Sequence, residues 1–324
     1  MKVIIPVAGI GTRLRPHTHS IPKPLLEVAG KPVLSHVLDP TLALNPEEVI
    51  FVVGYKGKDI ETFVREQYSF RSRFVYQDRL LGLGYALDLA LTEAGDDPVL
   101  IVLGDTIIES DLGELVEAGD NVLGLMQVGD PKRFGIAEIR DGVVVGLEEK
   151  PENPKSNLAL IGLYYFRNPN RLKWALEEII RSGKTTKGEI QLTDALELMI
   201  SEGVQFHTYE VQGWYDCGKK ETLLDSNSRL LLKGDPPDPI EGSLLIPPVY
   251  IAADATVTNS IIGPNVSISS GTTVENSIIR NSIVGSQTTI TNVVLDDSLV
   301  GSEVTVNGES RKLNIGDSSE IDVV

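Results

Sequence analysis

The chain has 324 residues, enough for two domains, and its 41% hydrophobic content supports a sizeable core. Acidic residues outnumber basic ones by 46 to 29, and the formal net charge of −17 argues against nucleic acid or an anionic membrane as the main partner. A single cysteine, Cys217, excludes a disulfide framework and a cysteine-based zinc cluster.

Lys2–Val7 reads as a buried strand that breaks at once into Gly9-Ile10-Gly11-Thr12-Arg13-Leu14-Arg15-Pro16 and then Pro22-Lys23-Pro24-Leu25-Leu26. A strand opening into a glycine-rich, cationic loop presents backbone N–H groups and positive side chains to a polyphosphate. The spacing is not that of a dinucleotide loop, because Leu14 stands where the third glycine of G-x-G-x-x-G belongs. It is not a Walker loop either, since no Gly-Lys-Ser/Thr follows.

Further strands are expected at Val49–Val53, Phe74–Gln77, Val99–Leu103, Val122–Val128, Ile136–Ile139, Val143–Leu147, Leu158–Phe166 and Val204–Glu210. Helical patterns fall between them, at Val33–Leu44, Asp59–Tyr68, Gly84–Ala94, Asp111–Ala118, Asn170–Ser182, Leu192–Ser201 and Lys220–Leu232. Such alternation implies an α/β fold: a Rossmann-like, mostly parallel mixed sheet with helices on both faces. This catalytic-type domain is expected over residues 1–232, followed by a proline-rich linker over 233–245.

From residue 246 to 324 the pattern changes. Apolar residues recur at nearly six-residue spacing, as Ile251, Val257, Ile262, Ile268 and Val274, then Val284, Ile290, Val300 and Val306. This is the hexapeptide repeat of a parallel β-helix, with a β-sandwich as the competing reading of the same β-branched, Ser- and Thr-rich segment. No histidine lies beyond His207.

Asp105 ends the strand Val99–Leu103 after one glycine, and a carboxylate at the C-terminal end of a parallel strand suits a hard cation such as Mg²⁺. Other polar strings are Phe134-Gly135-Ile136, Glu148-Glu149-Lys150-Pro151, Glu189-Ile190-Gln191-Leu192-Thr193-Asp194 and Gly213-Trp214-Tyr215-Asp216-Cys217-Gly218. Taken singly, each reads equally well as a polar turn, a helix N-terminus or a strand end.

Together with Gly9-x-Gly11-Thr12-Arg13-Leu14-x-Pro16 and Pro22-Lys23-Pro24-Leu25, these strings resemble the signature of the sugar-1-phosphate nucleotidylyltransferases, in particular the glucose-1-phosphate thymidylyltransferase type. The first motif departs from many members in lacking one glycine before Ile10. The resemblance implies a Mg²⁺-dependent transfer from an NTP to a hexose 1-phosphate, and a C-terminal β-helix that is left-handed. It assigns Ala8, Gly9, Gly11, Thr12 and Arg13 to the triphosphate, with Lys23 reaching the α-phosphate. Gln77 and Gly82 fall to the base, and dTTP or UTP is favoured over ATP or GTP, although a primary amide also complements adenine. Asp105 and Asp216 would hold the metal. Lys150 would bind the sugar phosphate, Glu149 the sugar hydroxyls, and Gly135, Gly162 and Thr193 would line the hexose pocket.

Arg15 is left at the rim, and His17 and His19 are expected to face solvent or substrate rather than a metal. Guanylyl- and adenylyl-transferring relatives remain as substrate alternatives, and a nucleotide-sugar-sensing regulatory subunit as the non-enzyme one. The β-helix is expected to be structural, oligomeric or regulatory, in a homo-oligomer. No apolar run reaches the ~18 residues of a membrane span. The apolar start lacks the flanks of a secretory leader, so a cytoplasmic location is expected.

Overall fold

Along the first strand, successive side chains go to opposite sides of the sheet, and both sides are buried. Val3, Ile5 and Val7 join one apolar cluster and Ile4 the other. The structure is a computed structural model describing residues 1–140 and 142–308. Its described residues divide into two units, residues 1–26 with 31–226, and residues 27–30 with 227–308.

The strands of the first unit are β1 (Lys2–Val7), β2 (Glu48–Val53), β3 (Ser72–Tyr76), β4 (Val99–Val102), β5 (Thr106–Glu109) and β6 (Asn121–Gln127). They continue as β7 (Gly135–Arg140), β8 (Val143–Glu149), β9 (Leu158–Phe166), β10 (His207–Glu210) and β11 (Gly213–Asp216). A nine-stranded sheet runs β8-β7-β9-β4-β1-β2-β3, with β6 pairing β9 and β10. The β4, β1, β2 and β3 strands are mutually parallel, whereas β9 is antiparallel to β4, β6 and β7. The mixed sheet expected from the alternation is therefore present, with the antiparallel strands at its later half.

Helices α1 (Val33–Leu42), α2 (Gly57–Gln67), α3 (Leu83–Ala94), α4 (Leu112–Glu117), α5 (Asn170–Ser182) and α6 (Leu192–Ser201) supply the covering. Leu34, Val37 and Leu38 of α1, Ile60 and Val64 of α2, and Leu112 and Leu115 of α4 pack with Val49, Phe51 and Val53. Ala86, Leu87 and Ala90 of α3, Leu172 and Leu176 of α5, and Leu196 and Met199 of α6 pack with Ile50 and Val52 on the other side. Two fully buried faces explain why these strands read as unbroken apolar runs. Helix α4 is held at its start by Asp111, whose Oδ1 accepts the N–H groups of Gly113 and Glu114.

Among the strands not foreseen are β5 and β11, as well as the two-residue strands Glu27–Val28 and Lys31–Pro32. The ribbon β5–β11 is antiparallel and short, with Asp216 opposite Thr106. Thr-Ile-Ile-Glu and Gly-Trp-Tyr-Asp carry too few residues for a period to emerge, and their pairing is decided by tertiary neighbours. Helix α7 (Lys220–Leu231) then leads out of the first unit.

In the second unit three four-stranded sheets are stacked from short, wholly parallel strands. This is a β-helix, and the parallel pairing excludes a β-sandwich, whose sheets are antiparallel. Val257, Ile262, Ile268, Val274, Val284 and Ile290 fill its core as the spacing predicts, joined by Val249, Val266 and Ile279. Leu244–Leu245 already pairs with Ile261–Ile262, so the repeat begins inside the stretch expected as linker. Proline content marks where the helix stops, not where the first coil starts.

Corners are taken by Asn259, Asn276 and Asn292 at positive φ, the residue that tolerates left-handed backbone best after glycine. Glu27 accepts from the Ser269 hydroxyl, and the Ala29 N–H donates to Asn227 Oδ1, which also accepts from Ser267. Residues 309–324, the end of the expected β-helix domain, lie outside the described residues. No helix among the described residues is long and apolar enough to cross a membrane.

Candidate active site

The C-terminal ends of β1 and β4 converge because Gly104 has no side chain. A Cβ there would stand 2.2 Å from Val7 Cγ1, and the Gly104 N–H reaches Pro6 O at 3.3 Å. This close approach sets Asp105 beside the loop that leaves β1. The loop turns at Gly11, in left-handed backbone with φ 70, into a 3₁₀ turn over Thr12–Leu14. It is buttressed from behind by Thr18, whose hydroxyl donates to Gly11 O at 2.9 Å. Lys23 is nearly buried, 9% exposed in its side chain, and its Nζ lies 2.5 Å from Asp105 Oδ2.

A cavity of about 450 Å³ opens here. Ala8, Gly9, Gly11, Thr12, Lys23, Gln77, Gly82 and Asp105, all expected at the nucleotide or metal, line it together. The Gln77 backbone N–H is used up by Val53 O at 2.8 Å, and Gln77 forms part of the cavity wall. Gly82 has φ 111, and a Cβ on it would meet Ile190 O at 2.6 Å. Gly84 would likewise meet Ile190 Cγ2 at 2.9 Å, so internal packing requires both glycines.

A second cavity, about 460 Å³, shares Leu83, Leu103 and Glu189 with the first as a common wall. Gly135, Glu149, Lys150, Gly162, Thr193 and Asp216 line it, which brings every residue expected at the sugar phosphate into one place. Arg13 lines this second cavity and not the first, a difference from its expected grouping with the triphosphate loop. The 3₁₀ turn swings it away from Gly9 and Gly11. A Cβ on Gly218 would stand 3.1 Å from Arg13 Nη2 and 2.6 Å from Asp216 Oδ1, so this glycine makes room for both groups.

Glu149 is oriented from two sides. Thr193 donates to its Oε2 at 2.7 Å, and Lys150 Nζ lies 3.1 Å from its Oε1. Gly135 is needed beside this pair, because a Cβ would fall 2.9 Å from Thr193 Oγ1 and 3.0 Å from Glu149 Oε2. Gly162 has φ 87 and lies in the irregular stretch of β9, where a Cβ would strike Leu103 at 2.6 Å. Burial, reinforced by the Glu149 charge, pushes the Tyr164 phenol far up, so it remains a neutral group on the cavity wall.

The ribbon β5–β11 aligns the two aspartates. The Cys217 N–H donates to Asp105 O at 3.3 Å, and Asp216 Oδ1 accepts the Gly218 N–H at 2.8 Å. Burial alone would raise the Asp105 carboxyl. The Lys23 charge, with hydrogen bonds from Lys23 and Thr106, outweighs it and holds the group below the ordinary carboxylate value. Burial drives the Cys217 thiol up to about 12, so it stays protonated and takes no part as a nucleophile.

A divalent cation fits this donor set. The Lys23 ammonium already stands against Asp105 as a positive charge, and the donors are carboxylate oxygens. Among the described residues no group of three or more His, Cys, Asp and Glu side chains could hold a metal by itself. Two carboxylates with the balance supplied by water and phosphate oxygens is the arrangement Mg²⁺ prefers. His17 and His19 sit in a 3₁₀ turn and line neither cavity.

Sequence reasoning missed three wall residues. Arg133, from the turn before β7, has Nη2 3.9 Å from Asp216 Oδ2 and its guanidinium over the Phe134 ring. Trp214 packs edge-on to Phe134 with centroids 5.1 Å apart, and its indole N–H is buried without a partner. Glu189 forms part of the wall between the cavities. The strings containing Trp214 and Glu189 were visible, but nothing in a string tells which members face a cavity.

A glycine-rich loop at the carboxyl ends of parallel strands, adjoining a cation- and carboxylate-lined cavity, is the kind of place where an α/β sheet binds phosphorylated ligands. The chain belongs to the nucleotidyl transferase family, whose model matches residues 2–232, and a GlmU-like C-terminal hexapeptide model matches residues 239–317. It is similar to a glucose-1-phosphate thymidylyltransferase of Streptomyces antibioticus, at 36% identity over 82% of this chain and 77% of that protein. It is also similar to the bifunctional protein GlmU of Methanococcus maripaludis, at 35% identity over 72% of this chain, but it spans only 55% of that longer protein. A crystal structure of UDP-glucose pyrophosphorylase complexed with UDP-glucose shares the fold, with a TM-score of 0.63 at 24% identity, covering 72% of this chain and 99% of that one. The chain is thus a sugar-phosphate nucleotidyltransferase of the glucose-1-phosphate thymidylyltransferase-like kind.

Proposed function

We propose that the enzyme transfers a nucleotidyl group from dTTP or UTP to glucose 1-phosphate, releasing pyrophosphate. The observation that carries this reading is the pair of cavities with a common wall: one lined by the glycine loop and Gln77, the other by Glu149, Lys150, Thr193 and Asp216. Two polyanions held in adjoining cavities that share lining residues can be brought together to react directly, so no protein nucleophile is required.

In this reading the Ala8–Thr12 backbone and Lys23 hold the triphosphate, and Lys150 and Arg13 hold the sugar phosphate. An oxygen of the sugar phosphate attacks the α-phosphorus, the bond between the α-phosphorus and its bridging oxygen breaks, and pyrophosphate leaves with that electron pair. Asp105 and Asp216 would hold Mg²⁺, which when bound would neutralise phosphate charge and polarise the reacting phosphoryl group. The Gln77 amide offers one donor and one acceptor to a pyrimidine edge. Glu149, fixed by Thr193 and Lys150, offers its carboxylate to sugar hydroxyls.

A pyrophosphate-release assay of four NTPs against glucose 1-phosphate, its epimers and N-acetylated sugar phosphates tests this. Turnover with dTTP or UTP and glucose 1-phosphate is expected, and exclusive use of ATP or GTP would overturn the base assignment. Lys150→Ala is expected to raise KM for the sugar phosphate about tenfold or more while the KM for NTP moves little. An equal rise in both would remove Lys150 from the acceptor side.

A further inference from the structure

Each carboxylate proposed to hold the cation faces a positive side chain of its own chain. Lys23 lies 2.5 Å from Asp105 Oδ2, and Arg133 lies 3.9 Å from Asp216 Oδ2. Arg13 Nη2 and the other oxygen of Asp216 both approach the position a Cβ on Gly218 would take, which adds positive charge to the neighbourhood. An ammonium at hydrogen-bond distance from Oδ2 takes up one of the lone-pair directions that a divalent cation could use on that carboxylate. The two positive charges also repel. A cation therefore competes with Lys23 for Asp105 and takes it more readily once Lys23 moves off it.

The lysine has a reason to move. Lys23 and the glycine loop line the same cavity, so a triphosphate seated on the loop offers the ammonium anionic oxygens within that cavity. Arg133 stands in the same relation to the second cavity, whose wall it shares with Lys150 and Asp216.

We propose that the site carries its own counter-ions and exchanges them on loading: Lys23 passes from Asp105 to the nucleotide phosphates, Arg133 passes from Asp216 to the second phosphate substrate, and the freed carboxylates take the divalent cation. This rests on the metal assignment made under the proposed function. It gives the protein alone a weak affinity for the cation, because each carboxylate already has a positive side chain beside it. Phosphate binding then creates the metal site, which orders loading and keeps the carboxyl pair from trapping a bare cation.

Removing a resident cation should do what the phosphate does. Mn²⁺ binding to the full chain, read from the electron paramagnetic resonance of free Mn²⁺ with no nucleotide present, separates the possibilities. Lys23→Met is expected to bind Mn²⁺ at least about tenfold more tightly than the wild type, in the range of a typical coupling between two sites. Arg133→Gln, with a side chain 42% exposed, is expected to fold without difficulty and to move the affinity in the same direction by less. Unchanged or weaker binding in Arg133→Gln, or in a folded Lys23→Met, overturns the exchange. Adding Asp105→Asn to Lys23→Met should abolish the gain. If the tightening survives that change, the cation sits elsewhere and the metal assignment itself falls.

Discussion

Asp105→Asn is expected to lower kcat by about 10²- to 10³-fold at saturating substrates, the loss that follows when one preorganised charge is removed from a phosphoryl-transfer site. The substitution keeps the shape of the side chain and removes only its charge. The backbone around it is set by other groups: Gly104 reaches Pro6 O, and the Cys217 N–H donates to the carbonyl of residue 105. Unfolding therefore does not account for the loss, although Lys23 loses its carboxylate partner and some stability with it. Asp216→Asn behaves in the same way, since its remaining Oδ1 can still accept the Gly218 N–H. If both hold one cation, as proposed, the two losses should not multiply in the double variant. Circular dichroism establishes the fold of each variant and pyrophosphate release gives kcat. Near-normal kcat in both single variants would remove the aspartates from the metal.

The sheet was legible because β1, β2 and β4 are buried on both faces and so stand out as apolar runs between amphipathic helices. The β-helix was legible because its core residues repeat. The ribbon β5–β11 was not, and it is the element that sets Asp216 opposite Thr106, next to Asp105. Each of its strands is four residues long, and the two halves lie a hundred positions apart in the chain, so only the folded protein brings them into register. The same limit applies to Arg13. Its place in the string beside Gly11 suggested the triphosphate, but a 3₁₀ turn begins at Thr12 and carries the guanidinium to the second cavity. Glycines were legible as a class and not in their reasons. Gly82, Gly84 and Gly104 are demanded by neighbouring protein atoms, so their occurrence says little about a ligand.

Gly9 differs from all of these, and it allows fold and function to be separated. It lines the first cavity, its φ is not in the left-handed range, and a Cβ placed on it meets no protein atom within 4 Å. Nothing in the protein's own packing asks for glycine there. Gly9→Ala should leave the melting temperature unchanged or slightly raised, because alanine at a permitted backbone position lowers the entropy of the unfolded chain by about 0.4–1 kcal/mol. Gly11→Ala should instead destabilise, since residue 11 has φ 70 and a Cβ would press on Thr18 Cγ2 at 3.0 Å and Lys23 Cβ at 3.1 Å. If phosphates lie directly against the loop backbone, the Gly9→Ala methyl group displaces them by a fraction of its own diameter, and kcat/KM for the NTP falls about 10²-fold. The KM for the sugar phosphate should change little, because Gly9 lines only the first cavity. Thermal melts and initial-rate kinetics with each substrate varied in turn read the two effects separately. A Gly9→Ala enzyme with wild-type NTP kinetics would mean that the triphosphate does not approach the backbone at this point, and the anion cradle would have to be sought along Thr12 and Lys23 alone.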